Sequence, residues 1–528
     1  MSRVVVAGGG PAGLAAAVEL GRRGVPTTVV EPRVTIDHDR PRAKTTSMRT
    51  MEHLRRWGLA DRLRAAAPLP VSWSQDVLFC TNLLGVELTR FPNAFGLYPE
   101  RDERWAEPGQ QVPQPAVERL LREAVAELPA VTFLTGRAVT TIEQDAAGVR
   151  AGLSDGSVIE ADYLLGCDGA AGVSRDVIGA SYEGSSGERP NLSVVFRAPG
   201  LAQKVPLDPA VQYWVIHPEV SGLMGRMDLD DTWWAIMVGV DVRVSAPDPE
   251  RLVRVLIGAD VPLDVVSTDP WVARMLLADR YSAGRIFLVG DAAHLNPPWG
   301  GHGFNTCVGD AVNIAWKLAA VLQGWGGPAL TGSYEAERRP VAAQTIADSS
   351  AQEKLLAPTF ADRPLTGSGP ESDRARAETA AALRVKAAEF YSEGLVLGYH
   401  YAGSPIVADD GSPVPPHTPQ VYHGSGRPGA RLPHAWLPDG RSLYDALGEG
   451  LTLLRLAPGP RESAFEEAAR AVGAAFTVVD LSGAGLLDRY GAPLVLVRPD
   501  QHVAWRGSGD DGGDAAAIVR TALGFSGG

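Results

Sequence analysis

Apolar runs, glycine turns and helical spacing succeed one another from the start of the chain. Between Arg3 and Glu31 the segments are "RVVVAG", "GGPAG", "LAAAVELGRRG" and "PTTVVE". That order predicts a βαβ unit, its helix ended by Gly24 and its second strand closing on Glu31. "MRTMEHLRRWGLADRLRAAA" then reads as helical, whereas residues 72–110 are irregular, rich in Pro, Trp and Phe, with no helix period. "PAVERLLREAVAEL" predicts another helix, and "VTFLTG", "VTTIEQD", "GVRAGLSDG" and "YLLGCDG" read as strands and turns. From about residue 186 to 275 alternating segments such as "LSVVFRAPG", "VQYWVIHPE" and "DTWWAIMVGVD" predict a mainly antiparallel sheet. "RIFLVGDAAH" returns to strand and turn, with a long helix expected from about Cys307 to Leu322. A charged, Ala-rich helical stretch covers roughly 373–391, and "GSPIVADDGSPVPPHTPQ" has the content of a linker or long surface loop. From about residue 430 a separate α/β unit follows, with no internal repeat anywhere in the chain.

Composition narrows the classes. The 528 residues are too many for one core and suggest about three domains. With 45% hydrophobic and 21% charged residues, the chain reads as an ordinary globular protein. A net charge of -13 argues against nucleic acid or an anionic membrane as partner, since both need a basic footprint. The three cysteines, Cys80, Cys167 and Cys307, lie far apart and support neither a disulfide framework nor a zinc site, so no metal is expected. No signal peptide and no apolar run of spanning length is legible, and the expectation is a cytoplasmic protein.

Gly8, Gly10 and Gly13 form GxGxxG between the first strand and the first helix. Gly8 permits a tight turn, Gly10 lets the backbone approach a pyrophosphate, and Gly13 lets helix and strand pack closely. Pro11 and Ala12 complete the turn, the helix N-terminus favours a diphosphate, and Glu31 would accept from a ribose hydroxyl. The motif signals a dinucleotide without separating FAD from NAD. A long dinucleotide needs a second contact, and "GDAAHLNPPWGGHGFNT" at 290–306 offers one. Asp291 could bind ribityl hydroxyls, while Gly300, Gly301 and Gly303 let backbone N–H groups close on a flat ring. The two segments are thus read as holding opposite halves of FAD.

With "GGGPAG" at 8–13, "CDGAAGVSR" at 167–175 and "GDAAHLNPPWGGHGFN" at 290–305 in this order, the chain resembles the class A FAD-dependent aromatic hydroxylases related to p-hydroxybenzoate hydroxylase. "RAKTTSMRTMEHLRRWG", "PQPAVERLL", "RPGARLPHAWL" and "HVAWRG" extend the likeness, which is most similar to the polyketide and indolocarbazole tailoring oxygenases. The resemblance implies an α/β fold: a Rossmann-like, glutathione reductase-type FAD-binding domain, an antiparallel β-sheet substrate domain and a C-terminal thioredoxin-like domain. The expected division is 1–71, 111–185 and 276–350 for FAD, 72–110 and 186–275 for substrate, 351–400 as helical connector, and 401–528 as the thioredoxin-like unit. It implies that Gly8, Gly10, Gly13, Glu31, Arg42, Gln114 and Asp291 bind FAD, and that Asp168, Gly169 and Arg175 serve both FAD and NADPH. For Asp168 a turn carboxylate is the equal alternative, and His294 has the alternative of bracing its turn.

The implied reaction takes hydride from NADPH or NADH, adds O2 to the reduced flavin, and oxygenates an aromatic ring through a C4a-hydroperoxyflavin. The backbone from Gly300 through Gly301, His302, Gly303 and Phe304, with Asn305 behind it, would favour the anionic reduced flavin. Pro297 and Pro298 could offer carbonyls without competing donors. His302 is a candidate base by its near-neutral pKa. Trp299 and His302 depart from the commoner pattern and either shape a wall beside the flavin or brace the loop. Trp214, Trp233, Trp234, Met224 and Met227 read either as sheet core or as a platform for a flat polycyclic substrate, with Trp214, Met224 and Trp234 the substrate candidates. The expectation is a monooxygenase hydroxylating a polycyclic aromatic, polyketide-type intermediate, as monomer or homodimer. Epoxidation, Baeyer–Villiger insertion or oxidative rearrangement are alternatives from the same chemistry, and a non-catalytic flavin-binding partner is the alternative of another class. No cysteine follows Cys307, which excludes dithiol chemistry in the last unit.

Overall fold

Val4, Val5 and Val6 have no exposed surface, and a strand buried on both faces is what a parallel sheet covered on each side requires. In the computed structural model, which describes residues 3–244, 246–353, 362–458, 462–508 and 514–525, Val4–Ala7 sits inside a six-stranded sheet. The order is Ser282–Ala283, Ile286–Leu288, Tyr163–Gly166, Val4–Ala7, Thr27–Glu31 and Val131–Thr135, parallel throughout except for the first short pair. Helix Pro11–Arg22 packs against helices His302–Leu322 and Gln114–Ala126. A three-stranded sheet, Val139–Gln144, Val149–Leu153 and Val158–Ala161, packs into the same core through Ile142, Val149 and Ala151.

The second sheet has eight strands in the order His294–Leu295, Asp264–Ala278, Tyr182–Arg197, Thr232–Val238, Gly222–Arg226, Gln212–Val215, Val77–Cys80 and Glu87–Phe91. Neighbours are antiparallel except Gln212–Val215 beside Val77–Cys80. Two strands therefore come from 72–110, which the sequence presents as irregular. "VLFC" is buried at every position and so lacks alternation, and "ELTRF" is too short to show a period.

Period two divides this sheet into unlike faces. Met224, Tyr213, Trp233 and Met237 pack under helix Pro249–Ile257, which Asp248 caps by accepting from the Arg251 N–H. Trp214, Leu223 and Trp234 point the other way and join Phe79, Phe91, Phe95, Trp299 and Phe390. Phe390 belongs to a chain of short helical pieces, Pro370–Leu383, Arg384–Lys386, Ala387–Phe390 and Glu393–Leu397, where the sequence predicts one stretch over 373–391. The part of the expected connector at 354–361 lies outside the described residues.

The C-terminal sheet runs Phe476–Asp480, Leu451–Arg455, Leu494–Val497 and Val503–Gly507, its first two strands parallel and the rest antiparallel. Helix Glu462–Ala471 joins the parallel pair and Ala515–Ala522 follows the last strand, giving a βαβ then ββα order. Its apolar face shares a core with Trp316, Ala320 and Leu330. A buried ionic cluster fixes the join: Glu337 accepts from Lys317 Nζ at 2.7 Å and from Arg498 at 2.6 Å, and Asp500 accepts from Arg498 at 2.6 Å. Removing one member would strand a buried charge, which is why such a cluster holds one arrangement.

Candidate active site

Three parallel strands end side by side at Ala7, Gly166 and Leu288, so the turns after them meet at the carboxyl edge of one sheet. That edge is where open α/β sheets bind ligands. Gly8 has φ +104°, and a Cβ there would stand 2.2 Å from the Cys167 carbonyl oxygen. A Cβ on Gly13 would stand 1.9 Å from the Gly8 carbonyl oxygen, whereas one on Gly10 would meet nothing within 4 Å. Two glycines thus let the backbone close on itself, and the middle one faces open space. Pro11 opens a helix that Gly10 caps without a side-chain bond and with no acidic residue in its first turn. Its N–H groups and the positive end of its dipole suit a diphosphate.

Glu31 is buried at the second strand end, where its carboxylate accepts from the Gly9 N–H at 2.7 Å and from the Arg33 Nε at 2.7 Å. Oε1 also accepts from the Arg33 N–H at 2.9 Å and is filled, whereas Oε2 keeps a lone pair for a ribose hydroxyl. Arg42 is exposed and holds φ +46°, unusual for a non-glycine residue. The adjoining Ala43 carbonyl accepts from the Gln114 N–H at 2.8 Å, which brings these two predicted residues together.

Asp168 divides its two oxygens between the two readings. Oδ2 accepts from the Ser174 N–H at 2.9 Å and from its hydroxyl at 2.7 Å, while Oδ1 is buried without a partner. Burial raises its pKa, although the Ser174 bonds oppose the rise. Gly290 wedges between the two long helices, its hypothetical Cβ 3.1 Å from Ala12 Cβ and 3.0 Å from Cys307 Cβ. The exposed Asp291 follows, accepting from Cys307 Sγ at 3.5 Å. His294 braces this turn: Nε2 lies 2.7 Å from Asp310 Oδ2, Nδ1 lies 2.7 Å from Asn296 Oδ1, and Arg338 Nε donates to Asp310 at 2.7 Å. Burial disfavours the charged ring, but Asp310 outweighs it and the His294 pKa is raised.

The loop at 297–305 turns on Gly300 and Gly301, with φ +75° and +69°. Pro298 is exposed and its carbonyl accepts from the Gly301 N–H at 3.0 Å. Gly303 and Phe304 are half-buried in the first turn of helix His302–Leu322, whose N-terminus also lacks a side-chain cap and first-turn acids. Asn305 is a clamp: its Oδ1 accepts from the Ser47 N–H at 2.9 Å and its Nδ2 donates to the Gly301 carbonyl at 2.8 Å. His302 is buried where the loop enters its helix. Burial pushes its pKa down to about 4, so the near-neutral value that made it a candidate base is absent. Nor does its ring make a hydrogen bond to a described residue that would brace the loop; instead it fills the place of a Gly300 Cβ, 2.4 Å from His302 Nε2.

Trp299 is buried and tilts against Trp214 with ring centroids 6.2 Å apart, so loop and sheet meet through aromatic rings. Trp214 stacks on Phe79 at 5.5 Å, and Trp234 shares the same face. Met224 does not. It is fully buried on the opposite face beneath helix Pro249–Ile257, because an odd step along a strand reverses the side-chain direction. As a substrate candidate it is therefore corrected.

Between loop and aromatic face lies a cavity lined by Thr45, Ser47, Met48, Phe95, Tyr98, Gly300, His302, Asn305, Phe390, Tyr391, Ser392 and Glu393. Sequence reasoning missed the walls from 45–48, 95–98 and 390–393. The available signal was aromatic density in two aperiodic segments, "FPNAFGLYPE" and "EFYSEG". Tyr98 stacks on Trp105 at 4.5 Å and donates to Glu393 at 2.5 Å, which also accepts from Arg104 at 2.5 Å. No cluster of His, Cys, Asp and Glu among the described residues could hold a metal ion, and none of their helices is long and apolar enough to cross a membrane.

Residues 1–349 match the FAD binding domain family, and 425–525 match the family described as aromatic-ring hydroxylase, C-terminal. The chain belongs to the FAD-dependent aromatic-ring hydroxylases. It is 33% identical to 2,4-dichlorophenol 6-monooxygenase of Delftia acidovorans over 96% of each chain. It is 32% identical to a putative polyketide hydroxylase of Streptomyces halstedii, over 95% of this chain and 93% of that one. Among solved structures, chromopyrrolic acid-soaked RebC with bound 7-carboxy-K252c superimposes with a TM-score of 0.90, at 33% identity and 99% coverage of both chains. As a hydroxylase of this family the protein is a flavoprotein monooxygenase acting on aromatic rings, with FAD as cofactor and NAD(P)H as the family's typical co-substrate. The residues present fit that cofactor: an open glycine turn, two uncapped helix N-termini and an unpartnered buried carboxylate oxygen converge on one sheet edge.

Proposed function

We propose that this hydroxylase oxygenates a polycyclic aromatic, polyketide-type phenol, consuming O2 and NAD(P)H. The observation that carries the reading is the cavity in which the loop of Gly300 and His302 faces Phe95, Tyr98 and Phe390, beside the face that bears Trp214 and Trp234. A chlorophenol oxygenase, a putative polyketide hydroxylase and a protein with a bound polycycle, 7-carboxy-K252c, are its relatives. Bound FAD would supply the oxygen activation; the chain supplies binding, orientation and exclusion of water.

On this reading Gly8, Gly10, Pro11, Ala12 and Gly13 hold the diphosphate and Glu31 the adenosine ribose. Arg42, Gln114, Asp168 and Asp291 meet the remainder of the cofactor, and Pro298, Gly301, His302, Gly303, Phe304 and Asn305 frame its ring. Neutral His302 and Trp299 act as wall and hydrogen-bonding surface, because a group with a pKa of about 4 is a poor acceptor of a phenol's proton. Residues 1–71, 111–185 and 276–350 serve the cofactor, 72–110 and 186–275 the substrate. The helical pieces of 351–400 add Phe390 and Tyr391 to the substrate wall, and 401–528 support both. The protein works in the cytoplasm as a monomer or homodimer.

The test is turnover of a panel of polycyclic phenols under labelled O2 with NADPH. The expected product carries one labelled oxygen atom, formed with phenol-stimulated NADPH oxidation. Reducible flavin with no phenol-dependent oxygen uptake across the panel would overturn the hydroxylase reading.

A further inference from the structure

The charged groups around the aromatic cavity show where a means of choosing among flat ligands is built. The fully buried cations among the described residues are paired. Lys317 and Arg498 meet Glu337, Arg338 meets Asp310, Arg431 meets Glu52, and Lys386, which lies 5.4 Å from the Trp214 ring centre, pairs with Glu389. Lys44 is half-buried and has no such partner. Its ammonium sits 4.2 Å above the Trp234 ring and donates to the Arg42 carbonyl at 2.9 Å, with no carboxylate within 4.0 Å among the described residues. Burial lowers its pKa to about 8, the direction expected of a cation drawn from water without a counter-ion.

The same layer holds further unused donors. Trp214, Trp234 and Trp299 each bury an indole N–H that has no acceptor. Trp214 and Trp234 stand on the sheet face turned to the loop that carries Trp299; Trp233, on the opposite face, and Trp105 also bury unmatched indole N–H groups, so these donors alone mark no ligand. The nearby carboxylate of Glu393 is already engaged by Tyr98 and Arg104. Lys44 also lies at the junction that the reaction needs, on the segment leading to Thr45 and Ser47, which Asn305 ties to the loop.

We propose that Lys44 is a specificity-determining residue that selects planar aromatics carrying an oxyanion, a carboxylate or a phenolate, by pairing with that group against the Trp234 face. The inference rests on the hydroxylase reading for the identity of the site, and adds the charge of its ligand. A cation over an indole face gains when a counter-ion arrives on its free side, and a half-buried charge without a carboxylate beside it favours an anionic ligand over a neutral one of the same shape.

The experiment uses the FAD-loaded protein and three probes: 1-hydroxy-2-naphthoate, 4-nitro-1-naphthol as its phenolate, and neutral 2-methyl-1-naphthol. Binding is read from perturbation of the flavin absorbance in the wild type, Lys44→Met, Lys44→Gln and Lys44→Arg. At least one anionic probe is expected to bind the wild type about tenfold or more tighter than the neutral probe. Lys44→Met and Lys44→Gln should reduce that ratio to within about threefold, with Lys44→Arg keeping most of it. Whichever anion gains identifies carboxylate or phenolate as the preferred group. A wild type without charge preference, a preference that survives removal of the ammonium, or equal weakening of all three probes overturns the proposal. Should one neutral variant lose its FAD, the other decides. Charge preference without labelled-oxygen incorporation would sink the hydroxylase reading alone, and hydroxylation without charge preference would sink the role of Lys44 alone.

Discussion

The cradle at the strand ends and the aromatic cavity opposite it are built from different materials. The cradle is backbone: Gly8, Gly10, Gly13, Gly290, Gly300 and Gly301 shape turns at the end of one sheet and the start of two helices. The cavity and the aromatic cluster beside it are side chain: Phe95, Tyr98 and Phe390 line the one, Trp214, Trp234 and Trp299 belong to the other, and they come from segments with no common motif. The contrast teaches that a site made of peptide groups tolerates almost no change at its glycines. A site made of packed rings can be rebuilt, and so can change ligand while keeping cofactor.

The sharpest way to break the contrast is Gly13→Val. A Cβ there would stand 1.9 Å from the Gly8 carbonyl oxygen, and relief would need helix and strand to part. The expected cost exceeds about 3 kcal/mol, with loss of soluble yellow protein. Recovery of wild-type flavin content would remove the argument from close approach.

Next in size is a pH effect that sets the two sides against each other. His302, facing the cavity, has its pKa lowered by burial from 6.5 to about 4, whereas His294, bracing the cradle, has its pKa raised by Asp310 against the opposing effect of burial. Between those lower values the unfolded chain binds a proton that native His302 does not, so its share of stability is full above pH 6.5 and falls as pH drops toward 4. That share is on the order of 3 kcal/mol at most. The share of His294 has the opposite sign, present below pH 6.5 and lost as pH rises through its raised pKa. Denaturant melts across pH should show His302→Gln flattening the acid limb and His294→Gln the alkaline limb; the same limb moving in both would end this assignment.

Asp291→Ala is expected to weaken FAD retention by about tenfold or more, roughly 1.4 kcal/mol, while leaving the fold intact. Equilibrium dialysis of the purified variant checks it, and unchanged retention would remove Asp291 from the cofactor site. The smallest effects compare the two faces of the eight-stranded sheet. Met224→Leu, under helix Pro249–Ile257, should cost less than about 1.5 kcal/mol and leave the KM for the aromatic substrate unchanged. Trp234→Phe, on the cavity face, should raise that KM severalfold at similar stability. Equal KM shifts in both variants would erase the distinction between the faces.

The chain by itself determined the first strand, turn and helix, and the three glycine-bearing motifs that meet at the sheet edge. These were legible because a left-handed φ or a backbone contact under 3 Å admits little besides glycine, and so leaves a residue-specific mark at fixed spacing. Only the tertiary structure decided that Met224 and Trp234 face opposite ways, that 72–110 adds two strands, and that Thr45, Tyr98 and Phe390 approach one loop. Burial on both faces hides the strand period, and rings brought together from distant segments obey packing, which sets volume and direction but prescribes no spacing along the chain. His302 shows the same divide within one residue: its type suggested a base, and the depth at which the fold buries it lowered its pKa to about 4.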